Sequence, residues 1–278
     1  MKLHFFLMVS LFLCAPSYAQ RLVVAGGAIT DIVYALGAGD QVVAVDASST
    51  WPLAAQQLPK VGYYRDLAAE GVLAQSPDLL LTQEGAGREQ VLQQIAATGV
   101  TIKHYPKPNS VTDLFELITQ IGTDLERQTE AKAVVARLQA ELPETLPTRT
   151  HHALFVLSAG DRGLVVAGKD TVPEILFQHA GIKNIATASG YKPLSREALL
   201  VSQPDFIVAP DHVVNAMGGK NNFCQQAALA LLPAAQACKV LVMDSLLAMG
   251  MTTRLPEAIA TLVNFSTQFN NKLAGKLQ

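Results

Sequence analysis

The sequence predicts an α/β protein built from two similar halves, and three observations carry that reading. One pattern occurs twice at a constant offset of 127 residues. Leu67-x-x-Glu70-x-x-Leu73-x-x-x-Pro77-Asp78 runs into Leu79-Leu80-Leu81, and Leu194-x-x-Glu197-x-x-Leu200-x-x-x-Pro204-Asp205 runs into Phe206-Ile207-Val208. Short apolar runs alternate with helical stretches on both sides of the repeat, as a parallel sheet requires. A long amphipathic stretch separates the halves. Paired lobes commonly work through the cleft between them.

The first nineteen residues stand apart from that fold. Lys2, an apolar run over 5–15 and the small residues Ser17 and Ala19 predict a secretory signal peptide over 1–19. The run is too short to span a bilayer. In the N-terminal lobe, residues 20–108, strands are expected at 21–25, 42–45, 79–82 and 101–104. One helix is expected from a Thr30 cap to Leu36, ended by Gly37, and another over 89–98, stopped by Gly99. Within the repeat, Leu, Glu and Leu at a spacing of three predict one side of a short helix. The proline stops it, and the apolar run beyond reads as a buried parallel strand.

Pro106-Lys107-Pro108-Asn109-Ser110 breaks the alternation. Val111, Leu114, Ile118, Ile121, Leu125, Val134, Leu138 and Leu142 then fall largely on one stripe. Residues 109–143 are therefore expected as a single helix, about 45 Å long, joining the lobes. Asp113 and Glu116 suit its positive end, and Pro143 and Pro147 close it. The C-terminal lobe, 147–278, is expected to hold strands at 153–157, 206–209 and 239–243, a helix near 171–179 and a terminal helix over 256–273.

Without the leader the chain carries 20 basic and 23 acidic residues, with no basic stripe, which argues against a nucleic-acid partner. Cys224 and Cys238 survive processing, and in an oxidising compartment such a pair reads as a disulfide. The chain has no GxSxG, HExxH, Walker loop or CxxC, which removes the positive case for an enzyme. His151 and His152 enter a strand and point to opposite faces, so they cannot chelate one ion together.

The segment Val61-Gly62-Tyr63-Tyr64-Arg65-Asp66-Leu67 sits in a glycine-containing loop facing the expected cleft. A guanidinium two residues from Tyr63 favours the phenolate. Phenolate is a hard anionic ligand suited to ferric iron, and tyrosine is a known haem axial ligand.

Here the chain resembles the periplasmic haem-binding proteins of bacterial haem-uptake ABC transporters. The residues that carry the likeness are Gly26-Gly27-x-x-Thr30-Asp31-Ile32-Val33-Tyr34-Ala35-Leu36-Gly37, the block from Leu58-Pro59 through Gly62-Tyr63-x-Arg65 to Glu70-Gly71-Val72-Leu73, and Pro77-Asp78. Pro193-Leu194-Ser195-x-Glu197-Ala198-Leu199 and Arg254-x-Pro256-Glu257-Ala258 extend it. The resemblance implies two Rossmann-like lobes with parallel central sheets joined by one long helix, the class III periplasmic binding protein fold, moving little on binding. It implies a monomeric periplasmic carrier that is not an enzyme. Haem would be the transported ligand, and the partners an inner-membrane permease and its ATPase.

By the same resemblance, Tyr63 is the axial ligand to the haem iron, with Tyr64 as the rival and Arg65 and Arg254 in support. Glu70 and Glu197 would meet arginines on the two permease subunits; on sequence alone both read as ordinary surface glutamates. Some relatives carry a histidine just after the Leu154-Phe155-Val156-Leu157-Ser158 strand, and that position here is Ala159. Met217, Met249, Met251 and Tyr191 are the substitutes to weigh for a sixth ligand. The alternative is a ferric-siderophore or cobalamin carrier of the same fold, and a more remote one is a secreted α/β enzyme.

Overall fold

The computed structural model describes residues 20–142, 151–160, 163–201 and 203–274; the expected signal peptide, Pro143 and Pro147 lie outside the described residues. Strands β1 (Leu22–Ala25), β2 (Val42–Val45), β3 (Leu79–Gln83) and β4 (Thr101–Tyr105) form a first sheet in the order β2-β1-β3-β4. All three of its pairings are parallel. The burial of every residue of β1 accounts for its unbroken apolar run.

The second sheet holds β5 (His151–Gly160), β6 (Gly163–Ala167), β7 (Ile182–Asn184), β8 (Tyr191–Leu194), β9 (Phe206–Pro210) and β10 (Val240–Met243). Its parallel part runs β7-β5-β9-β10 and repeats the strand order of the first sheet. The repeated Pro-Asp has the same structural task in each copy. Asp78 accepts the Arg21 main-chain N–H at 2.8 Å, and Asp205 accepts that of His152 at 2.7 Å. Each carboxylate thus ties the start of its own strand, β3 or β9, to the start of the neighbouring β1 or β5.

Three expectations need correction. The second sheet is mixed, because β6 turns back antiparallel along the distal half of β5 and β8 pairs antiparallel with β6. The single joining helix is two, Val111–Asp124 and Gln128–Glu141. The break is a Schellman closure. Arg127 N–H donates to Gly122 O at 2.6 Å and Glu126 N–H to Thr123 O at 3.3 Å, with Glu126 at φ 56°. The two helices then pack at Gly122, where an added Cβ would lie 2.5 Å from the Ala131 methyl. The first helix starts at Gly27 rather than after Thr30, whose hydroxyl bonds Gly26 O and Ser49 Oγ from inside the helix.

The first copy of the repeat is also shorter as a helix than its spacing suggests. It begins at Ala69, so Leu67 is buried ahead of it while Glu70 is exposed. The other expected strands and helices are present. Ser110 caps the helix Val111–Asp124, Thr171 caps Val172–His179, and a terminal helix runs Leu255–Ala274. Cys224 and Cys238 form a disulfide.

The largest apolar cluster is continuous through both lobes, from Leu22 and Ile32 through Leu117 and Leu138 to Phe206 and Leu262. A shared core of this kind resists hinge bending, since interiors are close-packed and tolerate little deformation. The lobes also touch through a buried polar contact: Asp31, in the helix Gly27–Ala35, accepts the Thr253 main-chain N–H at 2.6 Å. Among the described residues no helix is long and apolar enough to cross a membrane.

Candidate functional site

In an open parallel sheet, ligands bind beyond the carboxyl ends of the strands, at the point where the strand order reverses. Here that point lies between β1 and β3. Gly27, just beyond β1, and Gln83, the last residue of β3, line a cleft of about 1080 Å³ whose opposite wall comes from the second lobe. Gly27 is required there: a Cβ would stand 2.3 Å from Ser48 O.

Asp46, which follows β2, organises the first wall. It is fully buried, and its carboxylate accepts from Gly26 N, Ser48 N and Oγ, Ser49 Oγ and Tyr64 N at 2.7–3.1 Å. One side chain therefore pins the loop after β1, its own loop and the tyrosine loop together. Gly62, at φ 93°, opens that last loop, and its carbonyl accepts the Ala47 N–H at 2.7 Å. Asp46 carries no motif in the sequence; the only cue is an Asp-x-Ser-Ser cluster at a strand end, which reads simply as a turn.

The loop presents its two tyrosines differently. Tyr63 is 46% exposed and faces the cleft, whereas Tyr64 is buried at 6%. Their rings meet edge to face at 4.8 Å. Arg65 Nε donates to Tyr64 Oη at 2.7 Å, and the Lys107 ammonium lies 5.8 Å from the Tyr64 ring centre. Burial alone would raise the Tyr64 phenol; the Arg65 hydrogen bond and the Lys107 charge outweigh it and lower its pKa. Tyr63 goes the other way. Burial and then the neighbouring Tyr64 raise it, and Arg65 only partly offsets them. The expected depression of Tyr63 by Arg65 is therefore corrected: the guanidinium is engaged by the adjacent phenol.

Arg254, expected beside the ligand, does not line the cleft. It pairs with Glu257 through two bonds of 2.7 Å and stacks over Trp51 of the first lobe at 4.2 Å. It joins the lobes instead. Tyr191, Met249 and Met251 do reach the cleft, but burial pushes the Tyr191 phenol up to about 12. Met217 packs against the second lobe's own core. Ala159 is fully buried in that same core. Glu70 and Glu197 lie away from the cleft lining, both exposed, each in the first turn of its short helix.

The second wall holds a cluster that the sequence reading missed. Asp211 and His212 follow β9, Ser245 follows β10, and the parallel pairing of Pro210 with Met243 brings them together. Ser245 Oγ and main-chain N–H both donate to Asp211 Oδ1, and His212 Nδ1 lies 2.6 Å from Ser245 Oγ. The residue types are those of a hydrolytic triad, but the order is not. The carboxylate here takes the serine proton directly, so the histidine is no base toward that hydroxyl.

What the cleft offers is a phenol toward a metal, two cations toward anionic groups, and apolar faces such as Leu157, Ile175 and Leu246 toward a flat macrocycle. Those chemistries fit haem.

The chain is similar to solved haem-binding proteins. For the periplasmic heme-binding protein RhuT from Roseiflexus sp. RS-1, identity is 30% and the TM-score 0.80, over 89% of this chain and 99% of that one. For a periplasmic heme-binding protein from Pseudomonas aeruginosa, identity is 34% and the TM-score 0.75, over 88% and 91%. It is also 28% identical to the vitamin B12-binding protein of Yersinia pestis over 73% of each chain. An uncharacterized ABC transporter substrate-binding lipoprotein of Bacillus subtilis is 27% identical over 66% of this chain, which spans 61% of that relative's length. The periplasmic binding protein family model matches residues 22–247, and the chain belongs to that family.

Proposed function

We propose that this periplasmic binding protein carries haem in the cleft between its lobes and hands it to an inner-membrane ABC importer, acting as a carrier rather than a catalyst. The observation that carries the reading is Tyr63: a phenol 46% exposed in a loop anchored by Asp46, facing a largely apolar cleft, with Arg65 and Lys107 alongside. Tyr63 is the iron ligand in this reading. Arg65 and Lys107 receive the haem carboxylates, and the apolar side chains exclude water from its faces. The haem-binding proteins among the similar structures support the ligand, and the Bacillus subtilis relative supports the transporter partnership.

Titrating purified protein with hemin and reading the absorbance tests this directly. Saturable binding with a phenolate-to-iron band is expected, and no uptake at micromolar protein would refute it. The Yersinia pestis relative favours one second reading, cobalamin. Cyanocobalamin belongs in the same titration, and tight binding of it with none of hemin would select that reading. A cobalamin carrier would have no use for Tyr63 as an iron ligand.

A further inference from the structure

We infer that His212 Nε2 is a second-lobe ligand to the haem iron, held in the ligating tautomer by Ser245 and Asp211 as positioning residues. The inference rests on the haem reading above and adds a donor that the sequence did not disclose.

Two observations carry it. The first is placement. His212 follows β9 and lines the same cleft as Tyr63. Tyr63 belongs to the first lobe and His212 to the second, so a flat ligand between the lobes has one of them available to each side.

The second is the location of the protons. A carboxylate only accepts. The Ser245 hydroxyl has one proton, and it goes to Asp211 Oδ1, which also takes the Ser245 N–H at 3.1 Å and the His212 N–H at 2.7 Å. With its proton committed, Ser245 Oγ can only accept from the His212 Nδ1 at 2.6 Å. That nitrogen must carry the hydrogen of the neutral ring. Nε2 is then left with a bare lone pair, and it makes no hydrogen bond among the described residues. A ring whose far nitrogen donates to an oriented acceptor backed by a carboxylate is the arrangement that fixes metal-ligating histidines.

The test has a part without haem and a part with it. In the ligand-free protein, long-range ¹⁵N–¹H correlation of histidine-labelled samples should show His212 protonated at Nδ1. Ser245→Ala should shift it toward the Nε2–H form. Hemin is then added to wild type, His212→Ala, Ser245→Ala and Tyr63→Phe, and followed by absorbance and electron paramagnetic resonance.

Wild type should show a nitrogen-ligated ferric haem. His212→Ala should lose that signature and keep the phenolate band, or bind one equivalent where wild type binds two, and added imidazole should restore the signature. Tyr63→Phe should keep it. Ser245→Ala should weaken binding by about tenfold or more. Normal hemin uptake with the same spectrum and stoichiometry in His212→Ala overturns this inference alone. No hemin uptake by wild type overturns the haem reading and this inference together.

Discussion

Arg65 gives its Nε–H to the hydroxyl oxygen of Tyr64, its immediate neighbour, and not to Tyr63. The ligand-free cleft therefore keeps its most exposed phenol protonated, since burial and Tyr64 raise the Tyr63 pKa. In the proposed haem reading, coordination by Tyr63 then expels its proton, and metal binding that releases a proton strengthens with pH. Below the Tyr63 pKa, hemin affinity should rise by about tenfold per pH unit, approaching one proton released per haem. Titrations between pH 6 and 9 measure that slope. Tyr63→Phe should remove both the slope and the phenolate band, and Tyr64→Phe should retain the band. The reverse pattern would make Tyr64 the ligand.

Asp46 is the residue on which the first wall depends. Asp46→Ala leaves buried donors at Gly26 and Tyr64 without their acceptor. Each such loss costs about 1–3 kcal/mol, so urea unfolding should show a destabilisation of about 3 kcal/mol or more. Asp46→Asn keeps one acceptor oxygen and should fall between. Since the tyrosine loop is anchored there, the folded fraction of Asp46→Ala should also lose hemin affinity. A variant with wild-type affinity would show that the loop is held by other means.

How far the sequence discloses this protein depends on whether a feature is local. The duplicated Leu-Glu-Leu-Pro-Asp pattern places β3 and β9 because the proline, the acid and the apolar run are contiguous and each has a local task. The Asp78–Arg21 and Asp205–His152 bonds explain why the acid recurs. The break in the joining helix is hidden because its left-handed residue is Glu126 rather than glycine, and the apolar stripe resumes on the next helix. The antiparallel strands β6 and β8 are hidden because each is revealed only by its neighbour, β6 by β5 and β8 by β6. Tyr63 is legible through its neighbours in sequence. The Asp211–Ser245–His212 cluster is not, since it exists only because β9 and β10 lie side by side. Arg254 misleads for the same reason: Trp51, over which it stacks, lies on the other lobe.

The contact between Asp31 and Thr253 predicts a pH dependence of stability. Burial raises the Asp31 pKa, and the Thr253 hydrogen bonds and Arg254 only partly compensate. The folded state therefore holds the Asp31 proton to a higher pH than the unfolded state does. Between the ordinary value of 3.8 and the raised one, this group makes stability fall as pH rises. Asn at this position still accepts from Thr253 N–H and has no charge to bury. Asp31→Asn should thus gain on wild type as pH climbs from 4 toward 7 in urea unfolding. Asp31→Ala should lose about 1–3 kcal/mol by orphaning that N–H. Parallel pH profiles for wild type and Asp31→Asn would rule the argument out.

Glu70 and Glu197 occupy matched places in the two lobes. Each lies in the first turn of a short helix, and each precedes the equivalent strand, β3 or β9. Both are exposed, and neither lines the cleft. In the proposed reading the carrier docks on a two-subunit permease; two contacts related as its own lobes are related would suit that, and this pair has that relation. Exposed charge pairs add little affinity, but they set register and association rate. The double variant Glu70→Arg, Glu197→Arg should therefore fold and bind hemin like wild type. Hemin uptake into liposomes holding the permease and its ATPase should fall by an order of magnitude or more, and the single variants should lie between. Because docking charges act on the encounter, the residual transport of the single variants should depend more steeply on salt than that of wild type. Normal uptake by the double variant would exclude these residues as docking contacts. Lost hemin binding would place them in the ligand site instead, against their position outside the cleft.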